Sequence, residues 1–246
     1  MGQRFESSHR LQQNATPANG GIRDGSSVRI RASAPPRMNV LFLAAHPDDI
    51  EYCCPGSVLI HKENGDHIIE AVLSKGEKGA ILPFNRKPDL PERRAEELQK
   101  AAEILGISEV RQFDIPDGEF IDHKPRIREV IKNLYQKYKP EVIHLPEYKF
   151  SFYNHPDHLT LGKVGADLLS EKHPRPSIRL YHTTKPTRLF PIKRFKTTIW
   201  KARRTHASQR FVAGWLIPIL LLRYLPLYIR CAFKTKSLTF EGIREF

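Results

Sequence analysis

The 246-residue chain has little cysteine: three residues, two of them neighbours at Cys53 and Cys54. So few thiols exclude a disulfide framework and point to a reducing, cytoplasmic setting. The amino terminus lacks an apolar core long enough for a secretory signal. It opens Met-Gly, but Glu6 stands where the myristoylation pattern requires Ser or Thr. Long apolar runs are missing too. The longest, Phe211 to Leu222, has twelve residues, with Pro218 inside it and Pro226 shortly beyond. That is short of the roughly 18–20 residues a bilayer-spanning helix requires. There is no internal repeat.

Acidic residues are scarce at both ends. Residues 1–37 hold six Lys/Arg against two acids, and residues 185–246 hold fourteen against two. The stretch between them has twenty basic and twenty-three acidic residues, so the net charge of +13 belongs to the termini. Any basic function is to be sought there. Residues 1–37 are rich in Gly, Ser, Asn, Gln and Arg, carry no apolar period, and are expected to be a disordered basic tail. Met38, just before the first apolar run, marks the expected start of the folded unit.

From Met38 apolar runs alternate with helical patterns, which predicts an α/β fold: a Rossmann-like, mostly parallel sheet flanked by helices. Strands are expected at 39–45, 67–74, 110–114, 141–145 and 178–182. Helices are expected at 56–64, 91–105, 124–138 and 156–170. Pro91 sits in a first turn, and Gly106 and Pro140 act as stops. The Gly76-Glu77-Lys78-Gly79 loop follows the second strand, and Pro116-Asp117-Gly118 reads as a turn. After about residue 185 the alternation fades.

Two motifs carry chemistry. His46-Pro47-Asp48-Asp49 closes the first strand, and His155-Pro156-Asp157-His158 follows the fourth, about 110 residues later. Open α/β sheets bind ligands at the carboxyl ends of their strands. His46 and Asp49, three residues apart in a turn, can grip one metal ion, with a third ligand from His158 or His155. Two His and a carboxylate leave a position open for a water of near-neutral pKa. Asp48, beside Asp49, is then the natural general base. The chemistry implied is metal-assisted hydrolysis of an amide or ester. The remaining His61, His67, His123, His144, His173, His182 and His206 read as structural or surface residues.

Ala45-His46-Pro47-Asp48-Asp49-Ile50-Glu51, the Gly76–Gly79 loop, Arg94-x-x-Glu97-Leu98 with Leu105-Gly106, Pro116-Asp117-Gly118 and His155-Pro156-Asp157-His158 occur in one order. Together they resemble the LmbE/PIG-L family of zinc-dependent de-N-acetylases, over residues 38–184. The resemblance implies one Zn2+ per chain held by His46, Asp49 and His158, with Fe2+ or another divalent ion as an alternative. It implies that Asp48 deprotonates the zinc-bound water. It makes His155 a charged partner of the oxyanion or leaving amine, oriented by Asp157 and assisted by Tyr153. Arg94 would hold the substrate's sugar or phosphate side. The implied substrate is an N-acetylglucosamine-type amino sugar, free or lipid-linked. The rivals are a metal-dependent amidohydrolase on a non-sugar amide and a catalytically idle, membrane-associated glycan-binding protein. Where the family has glycines after the first motif, this chain has Cys53, Cys54, Pro55 and Gly56; the cysteines read as small buried residues at a helix start.

Residues 185–246 mix basic residues with Trp200, Trp215, Tyr224, Tyr228 and the Phe211–Ile229 apolar stretch. This segment is expected to lie on the cytoplasmic face of an anionic membrane, to complete the domain core, or to form an oligomer contact. Nucleic acid is not an expected partner, because the charge is mixed with aliphatic runs. Phe240-Glu241-Gly242 resembles family carboxyl-terminal ends, which brings the last residues back to the catalytic domain.

Overall fold

Strand β1 (Asn39–Ala44) is apolar on both faces because the sheet around it is covered on both sides. Its side chains alternate between two cores. Leu41 and Leu43 join Ile69, Ala71, Ile143 and Leu145, whereas Val40 and Phe42 join Val58, Ile68 and Leu98. The computed structural model describes residues 37–79, 87–151, 153–209, 219 and 222–245. The expected disordered tail lies outside the described residues except for Arg37. So does the Phe211–Leu222 stretch, apart from Ile219 and Leu222.

Beyond β1 the elements are α1 (Asp49–Cys53), α2 (Pro55–Asn64), β2 (His67–Val72), α3 (Leu90–Leu105), β3 (Glu109–Gln112) and α4 (Lys124–Tyr138). They continue with β4 (Val142–Pro146), α5 (Pro156–Ser170), β5 (Ser177–Tyr181), β6 (Arg188–Pro191), α6 (Lys196–Thr205), α7 (Leu225–Thr235) and β7 (Phe240–Glu245). The sheet order is β3-β2-β1-β4-β5-β7-β6. Strands β1 to β5 pair in parallel, and β7 runs antiparallel to both β5 and β6. The chain leaves β1 in one direction to build β2 and β3, then returns to β1's other edge with β4. That reversal opens a crevice at the carboxyl ends of β1 and β4.

The mostly parallel Rossmann-like sheet is thus as the sequence predicts. The strand beginning at Glu109 and that ending at Tyr181 each sit one residue before their expected places. The two antiparallel strands after residue 185 were not visible in the pattern. They are short, β7 alternates buried and half-buried positions, and one of its buried positions is Glu241 rather than an apolar residue.

An ion pair fastens β7 to the body. Arg244 donates from Nε and Nη2 to Glu147 Oε2 and Oε1, at 2.6 and 2.7 Å. Thr183 Oγ1 and the amides of Tyr148 and Lys149 donate to the same carboxylate. Burial alone would raise the Glu147 pKa, but Arg244, the Lys149 amide and Thr183 together hold it down at about 2. A depressed carboxylate stabilises the fold above its unfolded pKa of about 4.3. That stabilisation fades as pH falls from there toward 2. Glu147→Ala leaves Arg244 without its carboxylate and should cost about 3 kcal/mol near neutral pH. For a chain of this size that lowers Tm by roughly 6–12 °C. The deficit should shrink below about pH 4. Thermal melts of both proteins from pH 2.5 to 7 measure it; a constant difference across that range would refute the pairing.

Candidate metal centre

Strand β1 delivers His46 to the crevice, and the chain turns at once. The amides of Asp48 and Asp49 both donate to the His46 carbonyl, at 3.0 and 3.3 Å. The turn puts Asp48 at φ 152°, ψ −12°, a conformation residues with a side chain rarely adopt. Such strain costs on the order of 1–3 kcal/mol and persists where surrounding contacts enforce it. Asp49 starts α1 with its Oδ2 accepting from the amides of Ala45 and His46, each at 2.9 Å. Its Oδ1 is thereby aimed across the crevice.

From the other side comes α5. His155 is its N-cap, with Nδ1 accepting from the Asp157 amide at 3.3 Å. The helix sits unusually close to β4, since a Cβ on Gly162 would lie 2.2 Å from the Pro146 carbonyl oxygen. This approach carries His158 to Asp49 and His46. His158 Nε2 lies 3.1 Å from Asp49 Oδ1 and 3.2 Å from His46 Nδ1.

These three residues fit a divalent cation. Zn–N bonds of about 2.0–2.1 Å at the tetrahedral angle separate neighbouring ligand atoms by about 3.3 Å, close to the two spacings about His158 Nε2, while His46 Nδ1 stands 3.9 Å from Asp49 Oδ2. Two imidazole nitrogens and a carboxylate suit Zn2+ and also Fe2+. The ligating atoms of His46, His155 and His158 also fall within 4.8 Å of one another. His155, however, has Nδ1 engaged in capping α5.

The far side of His46 is held by carboxylates. Its Nε2 is 3.1 Å from both Asp157 Oδ2 and Asp117 Oδ1. Burial pushes the His46 pKa down, but hydrogen bonds to Asp117 and Asp157 and the nearby Asp49 charge outweigh it and raise the value to about 10. Carboxylates behind a ligating imidazole fix its tautomer and strengthen it as a donor. Asp117 was missed as a site residue by the sequence reading, although its Pro-Asp-Gly motif was in plain view. Burial opposes its ionisation, yet His46 and the Lys78 amide hold its pKa near 2.

Three residues make contacts other than those expected. The Asp157 carboxylate does not orient His155. It binds His46, and it accepts from the amides of Gly118 and Phe120 at 2.6 and 3.2 Å. Only its main-chain N–H meets His155. His155 is not held charged: burial, then the neighbouring His46 and His158, push its pKa down to about 4. Because Nδ1 accepts from the Asp157 amide, the neutral ring carries its proton on Nε2, as a donor. Arg94 is not free to hold a substrate. It is buried, with Nη1 donating to the Gly76 carbonyl and Nη2 to Pro47 O and Asp48 Oδ1, at 3.0–3.1 Å. The Gly76–Gly79 loop covers it so closely that a Cβ on Gly79 would lie 1.8 Å from Nη1. Arg94 positions Asp48.

Asp48 itself lies between His46 and Asp49 in the chain, with Arg94 on its Oδ1. Burial raises its pKa, with the Arg94 charge opposing and the Asp49 charge adding to the rise. Tyr153 lies beside both histidines, its ring centroid 5.8 Å from each, tilted against His155 and edge-on to His158. Cys53 and Cys54 stay protonated because burial pushes both thiols well up. Of the other histidines, His61 bonds Asp66 at 2.7 Å and His144 stacks on Phe42. His182 lies nearer the site than expected, its ring 6.4 Å from that of Tyr153.

The chain is similar to several known proteins. Diacetylchitobiose deacetylase of Thermococcus kodakarensis is 26% identical over 205 residues, covering 77% of this chain and 76% of its own. A probable N-acetyl-α-D-glucosaminyl L-malate deacetylase of Bacillus anthracis is 30% identical over 54% of this chain and 59% of its own. A 4-oxalmesaconate hydratase of Pseudomonas putida is 32% identical over 49% of this chain and 48% of its own. The N,N'-diacetylchitobiose deacetylase structure from Pyrococcus horikoshii shares the fold, with a TM-score of 0.73 and 21% identity. It covers 85% of this chain and 84% of its own. The family model for GlcNAc-PI de-N-acetylases matches residues 41–169, more than half of the sequence and the whole of both His/Asp motifs. The chain belongs to the PIG-L (GlcNAc-PI de-N-acetylase) family.

Proposed function

We propose that this protein is a divalent-metal hydrolase that removes the acetyl group from an N-acetylglucosamine-type amino sugar. The observation that carries the reading is the convergence of His46 Nδ1, His158 Nε2 and Asp49 Oδ1 beside a strained, buried Asp48. Family membership and the deacetylase relatives support it.

His46, Asp49 and His158 would hold zinc, or another divalent ion such as Fe2+. Such an ion, when bound, lowers the pKa of water and polarises the acetyl carbonyl. The chain's own groups supply the rest. Asp48 takes up the proton of the attacking water. Its Oδ1 is engaged by Arg94, which leaves Oδ2 for that proton, and the same carboxyl then returns it to the departing amine. His155 donates from Nε2 to the carbonyl oxygen as negative charge develops there, and Tyr153 lies close enough to assist. Asp157 and Asp117 keep His46 oriented.

The hydratase relative favours a second reading. The same base and water could add across an activated double bond instead of cleaving an amide. The experiment is metal analysis and amine release on the full-length chain. Its panel should hold N-acetylglucosaminides, N-acetylated non-sugar amines and an unsaturated dicarboxylate. Chelator-sensitive acetate release from the sugars alone is expected. Hydration of the dicarboxylate without amide cleavage, or metal bound with no turnover, would refute the deacetylase reading.

A lipid-linked substrate at an anionic membrane face fits the carboxyl-terminal region. Among the described residues no helix is long and apolar enough to cross a membrane. On α7, however, Leu225, Ile229 and Phe233 are exposed four residues apart on one face, with Leu222 one turn before and Leu238 beyond. The helix contains no acid, and Arg223, Arg230, Lys234 and Lys236 have no carboxylate partner among the described residues. An apolar stripe with basic flanks suits the interface of an anionic bilayer. The protein should sediment with vesicles containing phosphatidylserine, but not with phosphatidylcholine alone, and Phe233→Asp should cut the bound fraction at least about tenfold. Protein left in the supernatant with both vesicle types would remove the membrane from the proposal. Three free thiols agree with a reducing, cytoplasmic side for that contact.

A further inference from the structure

We infer that the cavity behind α1 is an oxyanion-binding subsite for the non-reacting half of the substrate, with Arg203 as its specificity residue. This rests on the amino-sugar reading of the adjoining metal centre. The cavity, about 150 Å³ and partly open, lies between α1, the chain after β5, strands β6 and β7, and α7. Two features link it to the metal centre. Helix α1 presents Asp49 to the metal site and Tyr52 and Cys53 to the cavity. His182 lines the cavity and is the ring neighbour of Tyr153.

Most of the wall is apolar: Leu189, Ile192, Leu227, Cys231 and Phe240. Into this wall is set one permanent cation. Arg203, on α6, donates Nε to Glu51 O at 2.8 Å and Nη2 to Tyr52 O at 3.2 Å. These two carbonyls and the Tyr52 ring, 5.5 Å away, are its close partners among the described residues, and the carboxylates of Glu241 and Glu51 act on its charge only from beyond ion-pair distance. A partly buried guanidinium whose hydrogen bonds go only to two main-chain carbonyls has donor capacity left for an oxyanion, which it recognises in a planar fork. The other charge-bearing wall residue, Glu241, is already occupied. Its carboxylate accepts from the amides of Gly56 and Ser57, at 2.6 and 3.0 Å, and from the Ser57 hydroxyl. The two wall cysteines are held protonated by burial.

The ligand chemistry follows. A sugar seated at the metal with its acetamide beside Asp48 can direct its aglycone along α1 into the cavity. A carboxylate or phosphodiester there meets Arg203, while any short aliphatic part meets Leu227 and Phe240. Arg94, buried under the Gly76–Gly79 loop, cannot serve that purpose.

The test compares three N-acetylglucosaminides on the zinc-loaded full chain: a neutral methyl glycoside, one with a carboxylate in the aglycone and one with a phosphodiester. The wild type should favour at least one anionic glycoside over the neutral one by roughly 10- to 100-fold, expressed in KM rather than kcat. Which one it favours identifies the oxyanion. In Arg203→Gln that preference should collapse to about one, and Arg203→Lys should keep part of it. Leu227→Trp fills the cavity from α7 without touching the Arg203 carbonyl bonds, and should also erase the preference. A binding arm runs without turnover. Calorimetry with inorganic phosphate and with succinate should show a site in wild type that both Arg203→Gln and Leu227→Trp lack. If no sugar is deacetylated but this site is present, the deacetylase reading fails while the subsite stands. No preference in wild type and no anion bound would overturn the inference. So would a preference that survives in both variants.

Discussion

Asp48→Asn should lower kcat by about 10²- to 10⁴-fold, the usual worth of a positioned general base, while the protein keeps its metal. The amide is nearly the same size and can still accept from Arg94 Nη2 through its oxygen. The buried guanidinium therefore keeps its partner, and the positive-φ turn keeps a residue type that tolerates it. What is lost is the capacity to take a proton at the carboxyl. Metal content by elemental analysis and turnover on an N-acetylglucosaminide separate the two functions. Wild-type metal with residual turnover defines Asp48 as the base. Unimpaired turnover in Asp48→Asn would exclude that role. Retention of both sugar affinity and turnover would also remove any special meaning from the strain at this residue. An idle binding protein would show no turnover to lose.

His158→Ala should be more damaging still, because it removes the atom that joins the two halves of the site. His158 Nε2 is the partner of both Asp49 Oδ1 and His46 Nδ1. Without it, one imidazole and one carboxylate remain on α1 and the preceding turn, too few for a catalytic ion that wants three protein ligands. Metal should be lost at ordinary concentrations, and turnover with it. Chelator-treated wild type should regain activity on adding zinc, and His158→Ala should not. The pH dependence has a definite sign. His46 is raised to about 10, so at neutral pH its Nδ1 carries a proton that an arriving cation must displace. Metal binding should therefore release close to one proton and tighten by about tenfold for each pH unit gained between 6 and 9. Calorimetry in buffers of different ionisation enthalpy measures the proton count. No proton released on binding would mean that the ion does not take His46.

Much of this was legible without coordinates. A strand apolar at six consecutive positions has to be buried on both faces, so β1 and the parallel sheet around it follow from Val40 to Ala45. Proline in first turns and glycine at stops fixed α3 to within a residue. Placing a His/Asp motif directly after each of two such strands is enough to predict a metal site, because parallel strands share a carboxyl-terminal edge. His46, Asp48, Asp49 and His158 are local in that sense: each lies within a few residues of a strand or helix end that the pattern reveals.

What the sequence left open depends on contacts between distant segments. The family resemblance implied that Asp157 orients His155. Only packing decides that the Asp157 carboxylate turns instead to His46, more than a hundred residues earlier. Asp117 joins it because the turn after β3 crosses the same crevice, a fact no periodicity records. Arg94, to which the resemblance gave a substrate-holding role, is instead bonded to Pro47, Gly76 and Asp48 beneath a loop whose glycines leave it room. The carboxyl-terminal segment shows the limit most plainly. Composition identifies it as basic and apolar but cannot say which residues face inward. Tertiary structure sorts Leu227 and Cys231 to a cavity wall and Ile229 and Phe233 to the surface. It also returns Glu241 to the start of α2 and Arg244 to Glu147, across 185 and 97 residues of chain. Local pattern encodes which elements form. Which side chains meet is settled by long-range packing, because burial and hydrogen bonding are decided by neighbours in space rather than in sequence.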